Sequence, residues 1–291
     1  MPAAEPSTEV TGASQISRRN FEQLAQFITS ELGIKIGESK TSLVQNRLAR
    51  RVRDLGLSSI DDYCEKLFTT NLLDSERVHL YNAITTNKTD FFREPQHFTV
   101  LTQTALPSLE RAGYFEPDRK LSVWSAACSS GEEPYTLSMV LSEYAAQRGL
   151  TYRILATDIS TKVLKMAKEG IYTREQAAPI PLPLRRKFLL QPKAGDRSLV
   201  RVSPELRRSV SFHQLNFMHA EYPVREMFHV IFCRNVLIYF DRPTQETVIT
   251  KLCQNLYPGG YLFISHSESL SGLNVPVVSL GASCYRRPET A

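Results

Sequence analysis

Short apolar runs that alternate with helical segments after residue 120 constrain the fold more than any other feature of this chain. Residues 121–127 form the first run, of strand length, and a helical pattern follows at about residues 132–147. Residues 152–157 and 228–233 repeat the apolar run, and a helical segment follows each of them. Because strand–helix–strand units connect parallel strands, this alternation predicts a doubly wound, parallel α/β sheet.

The rest of the chain divides into segments with other patterns. Residues 1–17 are rich in Pro, Ser, Thr, Ala and Glu, have no apolar period and are expected to form a flexible tail. Residues 18–84 repeat apolar positions every three or four residues, which predicts a helical N-terminal domain. Residues 85–291 form the second domain. Within it, the segment at about 184–214 is expected to fold as a small antiparallel β insertion, and residues 277–285 to close the sheet edge.

Composition and charge exclude several classes of protein. No apolar run approaches the roughly 18 residues of a membrane span, and the N-terminus lacks a signal-peptide pattern, so we expect a cytoplasmic protein with no membrane insertion. The five cysteines never occur as CxxC and are expected to be reduced thiols. The six histidines show no metal-ligand spacing, so no metal is expected. A net charge of +5 is too small to indicate general nucleic-acid binding.

Ligands of open α/β sheets bind beyond the carboxyl ends of the strands, where this chain places a segment of small residues. Residues 125–134 combine those small residues with a helix start, and the free N–H groups there can face a ligand. Glu132 and Glu133 would repel a pyrophosphate and favour a cationic ligand. The alternative is a helix with glutamates in its first turn and no ligand.

Other polar residues follow the remaining apolar runs. Asp158 is placed to accept the ribose hydroxyls of an adenosine-containing ligand, or else to cap the next helix. Asn216 could pair with a base edge. Arg234 and Asn235 interrupt an apolar run, which is costly without partners, so they are predicted to meet a polar ligand. Tyr239 would lie near the same site or be a packed aromatic residue.

Two further segments have a possible function. Residues 85–95, at the domain junction, could fold over a ligand. Residues 40–53 form a helical stretch without an acidic residue, in which Leu48 and Val52 take the buried face. Its basic residues are Lys40, Arg47, Arg50, Arg51 and Arg53. Such a stripe attracts a carboxylate-rich helix or a phosphate backbone, and the alternative is a solvated helix face.

In chain order these segments resemble the chemotaxis receptor glutamate methyltransferases, the CheR family. The resemblance rests on residues 86–94, 124–135, 156–159 and 231–241. It implies a Rossmann-like methyltransferase sheet that uses S-adenosyl-L-methionine and releases S-adenosyl-L-homocysteine. It further implies an enzyme that esterifies glutamates on the cytoplasmic helical domain of chemoreceptors for sensory adaptation.

The resemblance also implies roles for individual residues. Cofactor contacts would come from Asn87, Thr89, Arg93, Glu133, Asp158, Asn216, Phe217, Arg234 and Asn235. Of these, Glu133 is preferred over Glu132 for the amino acid part, Asp158 for the ribose, and Asn216 with Phe217 for the adenine. Arg93 and Tyr239 would be catalytic, next to the transferred methyl group.

Receptor contacts are implied as well. Arg47, Arg50, Arg51 and Arg53 would bind the acidic receptor surface. Some members of the family bind a receptor peptide through the β insertion. Here the turn at residues 191–197 has a single glycine and does not match the glycine-richer loop of those members.

Three other functions are compatible with parts of the pattern. A nicotinamide dehydrogenase fits the α/β alternation but would need the G-x-G-x-x-G that this chain lacks. A methyltransferase acting on RNA or a small molecule would fit the arginine stripe, and its binding would depend steeply on salt. A noncatalytic cofactor-binding adaptor would keep Asp158 but would not need Arg93 or Tyr239.

Overall fold

A computed structural model describes residues 16–70, 72–116, 120–192 and 195–289. The chain divides into two compact units, one reaching to Thr85 and the other beginning at Thr86. Of the expected flexible tail, residues 1–15 lie outside the described residues, as do Lys193 and Ala194 of the turn at 191–197. No described helix is both long and apolar enough to cross a membrane.

The first unit is helical throughout its described part. Its helices are α1 (Arg18–Leu32), α2 (Thr41–Asp54), α3 (Ile60–Thr69) and α4 (Leu72–Ile84), with a single 3-10 turn, Glu38–Lys40, before α2. Ser17 begins α1 by accepting a hydrogen bond from the Asn20 N–H, and Gly33 ends it in the left-handed conformation. The apolar positions at spacings of three and four face inward, and Leu24, Ile28 and Leu48 are buried.

The second unit contains a seven-stranded sheet in the order β6-β2-β1-β7-β8-β10-β9. The strands are β1 (Lys120–Ala126), β2 (Thr151–Asp158), β3 (Ile171–Thr173), β4 (Leu189–Leu190), β5 (Leu199–Val202), β6 (Val210–Gln214), β7 (Phe228–Cys233), β8 (Leu256–Phe263), β9 (Val278–Gly281) and β10 (Cys284–Arg286). The helices are α5 (Gln96–Val100), α6 (Leu106–Arg111), α7 (Glu132–Ala146), α8 (Thr161–Glu169), α9 (Leu182–Phe188), α10 (Pro204–Ser209) and α11 (Arg242–Gln254), with a π-helical turn, Leu101–Ala105, between α5 and α6.

The strand order gives the sheet one topological switch point. From β1 the chain adds β2 and β6 on one side, and it later adds β7 and β8 on the other, all in parallel. Every residue of β7 is buried, as expected for a central parallel strand covered on both faces. A ligand crevice is therefore expected between the carboxyl ends of β1 and β7. At the far edge, the expected extended segment is an antiparallel hairpin of β9 and β10.

The small antiparallel sheet exists, but its boundaries differ from the expected 184–214. It has the order β3-β5-β4, so it begins at Ile171. Strand β6, expected within the insertion, instead pairs in parallel with β2, with Ile154 opposite Val210. Because β6 is an edge strand, its residues alternate between buried and exposed, the pattern also typical of an antiparallel hairpin.

All five cysteines of the chain lie within the described residues and are free and buried. Burial raises the pKa of Cys64, Cys253 and Cys284 to about 12. The pKa values of Cys128 and Cys233 are raised as well, also through burial. These thiols therefore belong to the core.

Candidate functional site

A buried ion pair spans the switch point between β1 and β7. Arg234 directly follows β7, and its Nη1 lies 3.3 Å from Oε2 of Glu133, in the first turn of α7 after β1. The Arg234 side chain is 2% exposed and that of Glu133 is 12% exposed. Ser125, in β1, donates to the other carboxylate oxygen at 2.7 Å. The pair therefore holds a carboxylate at the point where such sheets bind ligands.

Two opposing influences act on the Glu133 carboxyl. Burial raises its pKa, while the charge of Arg234 and the hydrogen bond from Ser125 lower it. Burial is the larger, so the pKa of Glu133 lies above its usual value. Glu132, which accepts a hydrogen bond from Ser130 Oγ at 2.7 Å, is itself 2% exposed. Of these two glutamates, Glu133 is the one that pairs with Arg234.

Asp158 ends β2 and fixes the loop that follows β1. Its Oδ2 accepts a hydrogen bond from the Ser129 N–H at 2.8 Å, and its Oδ1 from the Ser160 N–H at 2.9 Å. Burial raises the pKa of Asp158, and the backbone N–H donors partly offset that rise. Asp158 is not the N-cap of the following helix. Ser160 has that role, because its side chain accepts a hydrogen bond from the Val163 N–H at the start of α8.

The loop between β1 and α7 is held in a strained conformation. Ala127 and Ser129 have φ values of 68° and 49°, in the left-handed region that costs non-glycine residues about 1 kcal/mol or more. Gly131 has φ 100°, and a Cβ added there would lie 2.8 Å from Tyr172 Oη and 2.9 Å from Ala167 Cβ. Strain of this kind persists only where the surrounding structure enforces it, and it is concentrated at ligand sites.

The segment at residues 86–94 lies against this loop. Ser129 Oγ donates to the carbonyl of Asn87 at 2.9 Å. The Arg93 carbonyl accepts from Arg234 Nη2 at 2.5 Å, while Arg93 Nη1 donates to the Lys88 carbonyl at 3.1 Å. Asn87, Thr89 and Arg93 are all partly exposed at this edge. The structure thus brings the junction segment to the switch point, as expected of a loop that could cover a ligand.

Asn235 and Tyr239 lie in the segment after β7. Asn235 is left-handed, with φ 58°, and its amide donates to Ser265 Oγ at 2.6 Å. Tyr239 ends the 3-10 turn Leu237–Tyr239 and is half-buried, so it is not a fully packed core aromatic.

The remaining predicted residues, Asn216 and Phe217, follow β6 and are buried. Asn216 Oδ1 accepts from the Met218 N–H at 2.9 Å. The Phe217 ring packs edge-on against Phe240, 6.3 Å between centroids, and so borders the segment that contains Tyr239.

Glu94 is a site residue that the sequence reasoning did not single out. Its Oε1 accepts from Ser265 Oγ at 2.7 Å, and its Oε2 lies 3.4 Å from Arg234 Nη2. Burial raises its pKa, but the hydrogen bonds from Ser265 and the His266 N–H and the charges of Arg234 and His97 together outweigh burial and lower the pKa overall. Glu94 lies within residues 86–94, one of the segments on which the family resemblance rests. Its partner Ser265 follows β8, far along the chain, so sequence spacing did not predict their contact.

Glu94, His97 and His266 bring their potential ligand atoms within 4.8 Å of one another, a grouping not visible in the histidine spacing. His97 is fully buried, and its Nδ1 lies 3.4 Å from Glu94 Oε2. The Arg234 guanidinium is at the same distance from that oxygen and already supplies a positive charge. We therefore assign this carboxylate to holding Arg234 rather than a metal ion.

The basic stripe on α2 is only partly free to meet another molecule. Arg50 is 83% exposed, and Arg53 is also exposed. Arg47 is half-buried and donates to the Ile84 carbonyl. Arg51, expected to face outward, instead pairs with Glu76, whose side chain is 1% exposed, and its Nε donates to Glu76 Oε2 at 2.8 Å. A buried carboxylate needs a cationic partner, so Arg51 stabilises the helical unit.

These residues fit a cofactor with a cationic amino acid part and a ribose. The Arg234 Nε is buried without a hydrogen-bond partner among the described residues. One donor in the wall of the crevice is therefore available to a ligand. The partly exposed Glu133 carboxylate suits an ammonium group. The small residues of the loop after β1 allow close approach to the backbone.

Known proteins are similar to this chain over almost its entire length. The model described as "CheR methyltransferase, SAM binding domain" matches residues 87–284, and "CheR methyltransferase, all-alpha domain" matches residues 19–85. Chemotaxis protein methyltransferase 2 of Pseudomonas aeruginosa is 37% identical over 98% of this chain and 99% of its own length. The chemotaxis protein methyltransferase of Escherichia coli is 35% identical over 95% of this chain and 93% of its own.

Solved structures give a weaker likeness. The glycopeptide N-methyltransferase MtfA in complex with sinefungin is 13% identical over 61% of this chain and 50% of its own, with a TM-score of 0.36. The family models, by contrast, together match residues 19–284 with a gap of one residue. S-adenosylmethionine is therefore the cofactor of a methyltransferase that acts in chemotaxis. The chain belongs to the CheR methyltransferase family.

Proposed function

We propose that this protein methylates glutamate side chains of chemoreceptors, giving glutamate methyl esters that serve sensory adaptation. The observation that carries the proposal is the buried Glu133–Arg234 pair at the switch point, next to the segment that contains Arg93. The similarity over nearly the full chain to proteins named chemotaxis protein methyltransferases supports the choice of substrate. The fold is that of the family, which further supports the proposal.

Cofactor binding is divided among the carboxyl ends of β1, β2, β6 and β7 and the junction segment at residues 86–94. In the proposal, Glu133 faces the amino acid part of the cofactor and Asp158 the ribose, while Asn216 and Phe217 border the adenine. Asn87, Thr89, Arg93, Arg234 and Asn235 complete the walls of the crevice. Asp158 keeps the loop after β1 in place through Ser129, so loss of its carboxylate would disturb the loop as well as the ribose contact.

Methyl transfer to a glutamate requires that the carboxylate and the methyl group be oriented correctly, and it does not require a general base. A glutamate carboxylate is ionised at pH 7, so one of its oxygens can attack a methyl group directly. When bound, S-adenosylmethionine supplies an electrophilic methyl group on a sulfonium. The Arg93 guanidinium holds the incoming carboxylate by charge-assisted hydrogen bonds, and Tyr239 shapes the space around the methyl group. No Ser-His-Asp or Cys-His set is required for this reaction.

The receptor surface is contacted by the exposed part of the α2 stripe. Arg50 and Arg53 are exposed and suit the acidic surface of a receptor's cytoplasmic helices. Arg50 Nε lies 3.9 Å from Asp54 Oδ2, an exposed ion pair that an approaching acidic surface can replace. Arg47 contributes from a half-buried position. Arg51 is left out of this surface because its guanidinium is paired with Glu76.

The test is methyl transfer from radiolabelled S-adenosylmethionine to receptor-containing membranes. We expect protein-bound label that mild base releases as methanol, since that release distinguishes a carboxyl methyl ester from N-methylation. Membranes whose receptor has alanine at the methylated glutamates are the matched control and should stay unlabelled. Cofactor binding without any receptor label would contradict the proposal and direct attention to RNA and small-molecule acceptors.

A further inference from the structure

Glu268 is a buried carboxylate, outside the residues assigned above, that holds two separate segments of backbone. Its Oε1 accepts from the Leu237 N–H at 2.8 Å, and its Oε2 accepts from the N–H groups of Asn235 at 3.1 Å and Ser265 at 2.8 Å. Glu268 is only 9% exposed. One carboxylate thus connects the segment after β7 to the end of β8.

Gln245, in α11, holds the same turn from its carbonyl side. Its Nε2 donates to the carbonyl of Leu237 at 2.9 Å and to that of Phe240 at 3.1 Å. The turn that ends in Tyr239 therefore has N–H groups bound by Glu268 and carbonyl groups bound by Gln245. Both partners are side chains that come from elements later in the chain than the turn itself.

This arrangement fixes the backbone while leaving two side chains of the turn accessible. Ile238 is 52% exposed, and Tyr239 is half-buried. The left-handed conformation of Asn235, at φ 58°, costs about 1 kcal/mol and persists only when neighbouring groups enforce it. The Glu268 bond to the Asn235 N–H is one such group.

We propose that Glu268 and Gln245 are positioning residues that fix the turn carrying Tyr239, so that methyl transfer depends on both of them although they act through the turn. The inference rests on the proposed function for the role of Tyr239. The physical reason is preorganisation: a reacting geometry held by packed hydrogen bonds does not have to be formed at each turnover. A displacement of about 1 Å in such a turn can lower the rate about 100-fold.

Glu268→Gln is the sharpest variant because it keeps the shape of the side chain. It replaces one acceptor oxygen with an NH₂ donor that must face a backbone N–H, so at least one of the three hydrogen bonds is lost. Glu246→Gln is the matched control, since Glu246 also accepts a backbone hydrogen bond, from the Asn274 N–H at 3.0 Å, but does not contact the turn.

Two measurements on the full chain test the proposal. The first is amide hydrogen exchange of a peptide spanning residues 234–241, which we expect to be about tenfold faster in Glu268→Gln and unchanged in Glu246→Gln. The second is the separation of kcat from KM in receptor methylation. We expect kcat to fall at least tenfold, while the KM for S-adenosylmethionine and the Kd for S-adenosylhomocysteine change less than threefold. Gln245→Ala should produce the same pattern from the carbonyl side.

The outcomes separate this inference from the proposed function. Amide exchange at the wild-type rate in both Glu268→Gln and Gln245→Ala would overturn the inference. Faster exchange with an unchanged kcat would also overturn it, because methyl transfer would then not require a fixed turn. If Glu268→Gln does not fold, Gln245→Ala decides the question alone. If the wild-type protein methylates no receptor, the proposed function fails, whereas the exchange measurement still reports whether Glu268 and Gln245 hold the turn.

Discussion

Arg234 Nη1 lies 3.3 Å from Glu133 Oε2, and through this contact the first residue after β7 is joined to the first turn of the helix after β1. At the switch point, the segments that follow β1 and β7 are therefore joined by an ion pair and not by apolar side chains. Arg234 also has Glu94 at 3.4 Å, so it keeps one carboxylate partner if Glu133 is neutralised.

Glu133→Gln should therefore fold but bind the cofactor poorly. We expect the Kd for S-adenosylmethionine to rise at least tenfold, about 1.4 kcal/mol, because the ammonium loses its ionised partner. In the wild type, affinity should also fall at acidic pH, since the Glu133 pKa is raised by burial and protonation removes the charge. Calorimetric titration at pH 7.5 and 5.5 checks both points. Equal affinity in variant and wild type would remove Glu133 from the cofactor site.

Arg93→Ala should lose most methyl transfer while retaining cofactor binding within a few-fold. Arg234 contacts the backbone carbonyl of Arg93, so the alanine variant keeps that hydrogen bond and loses the guanidinium together with its bond to the Lys88 carbonyl. Single-turnover methylation of receptor membranes measures the effect, with Lys88→Ala as the control on a neighbouring exposed cation. A normal rate in Arg93→Ala would show that Arg93 does not hold the substrate carboxylate.

The arginines of α2 should separate into two groups. Arg51→Ala leaves the Glu76 carboxylate, which is 1% exposed, without its cationic partner and should destabilise the helical unit by about 3 kcal/mol. Arg50→Ala should change stability by less than about 0.5 kcal/mol, because its side chain is 83% exposed. We expect Arg50→Ala and Arg53→Ala to weaken receptor binding in a salt-dependent manner. Scanning calorimetry of the intact chain and receptor sedimentation at two salt concentrations provide the measurements.

Gly131→Ala should cost far more than a glycine substitution in an open turn. Its Cβ would approach Tyr172 Oη and Ala167 Cβ within 3 Å at φ 100°, so α8 would have to move, at about 3 kcal/mol. Gly149→Ala is the control, because φ there is 62° but nothing lies within 4 Å of the added Cβ, and we expect about 1 kcal/mol. Urea unfolding followed through the single tryptophan, Trp124, reports on this unit.

His97 should make the second unit less stable in acid. Burial, aided by the charge of Arg234, lowers the His97 pKa to about 4, below the value of about 6.5 expected in the unfolded chain. Between those values the unfolded chain binds a proton that the folded one does not, so stability falls with pH from about 6.5 to 4, by about 3 kcal/mol in total.

His97→Gln should therefore flatten this pH dependence, and the exposed His213→Gln should leave it as in the wild type. Urea unfolding through Trp124 fluorescence at pH 7 and pH 4.5 measures both. An unchanged slope in His97→Gln would assign the acid sensitivity to other groups.

The sequence predicts the parts of the fold and site that depend on local patterns. The buried runs of β1, β2 and β7 were recognisable because a central parallel strand is covered on both faces and is therefore mostly apolar where it is buried. Arg234 and Asn235 stood out because polar residues are rare inside such a run. The family-model matches confirm the fold class and the cofactor.

What the sequence did not reveal depends on distant partners. Arg51 looked like a member of an exposed stripe because Glu76 lies 25 residues away on another helix. Strand β6 was assigned to the insertion because its partner β2 precedes it by more than 50 residues. The role of Glu268 could not be predicted from the sequence, because it binds backbone N–H groups, which every residue except proline has.

The burial of all five thiols makes this chain unusually convenient for site-directed labelling. Thiol reagents react with the thiolate, and burial both hinders access and raises the pKa of each native cysteine. A cysteine introduced at an exposed position such as Arg50 or Ile238 would then be modified alone, with no native cysteine removed. Fluorescent or spin probes placed in this way could follow α2 and the Tyr239 turn separately during turnover.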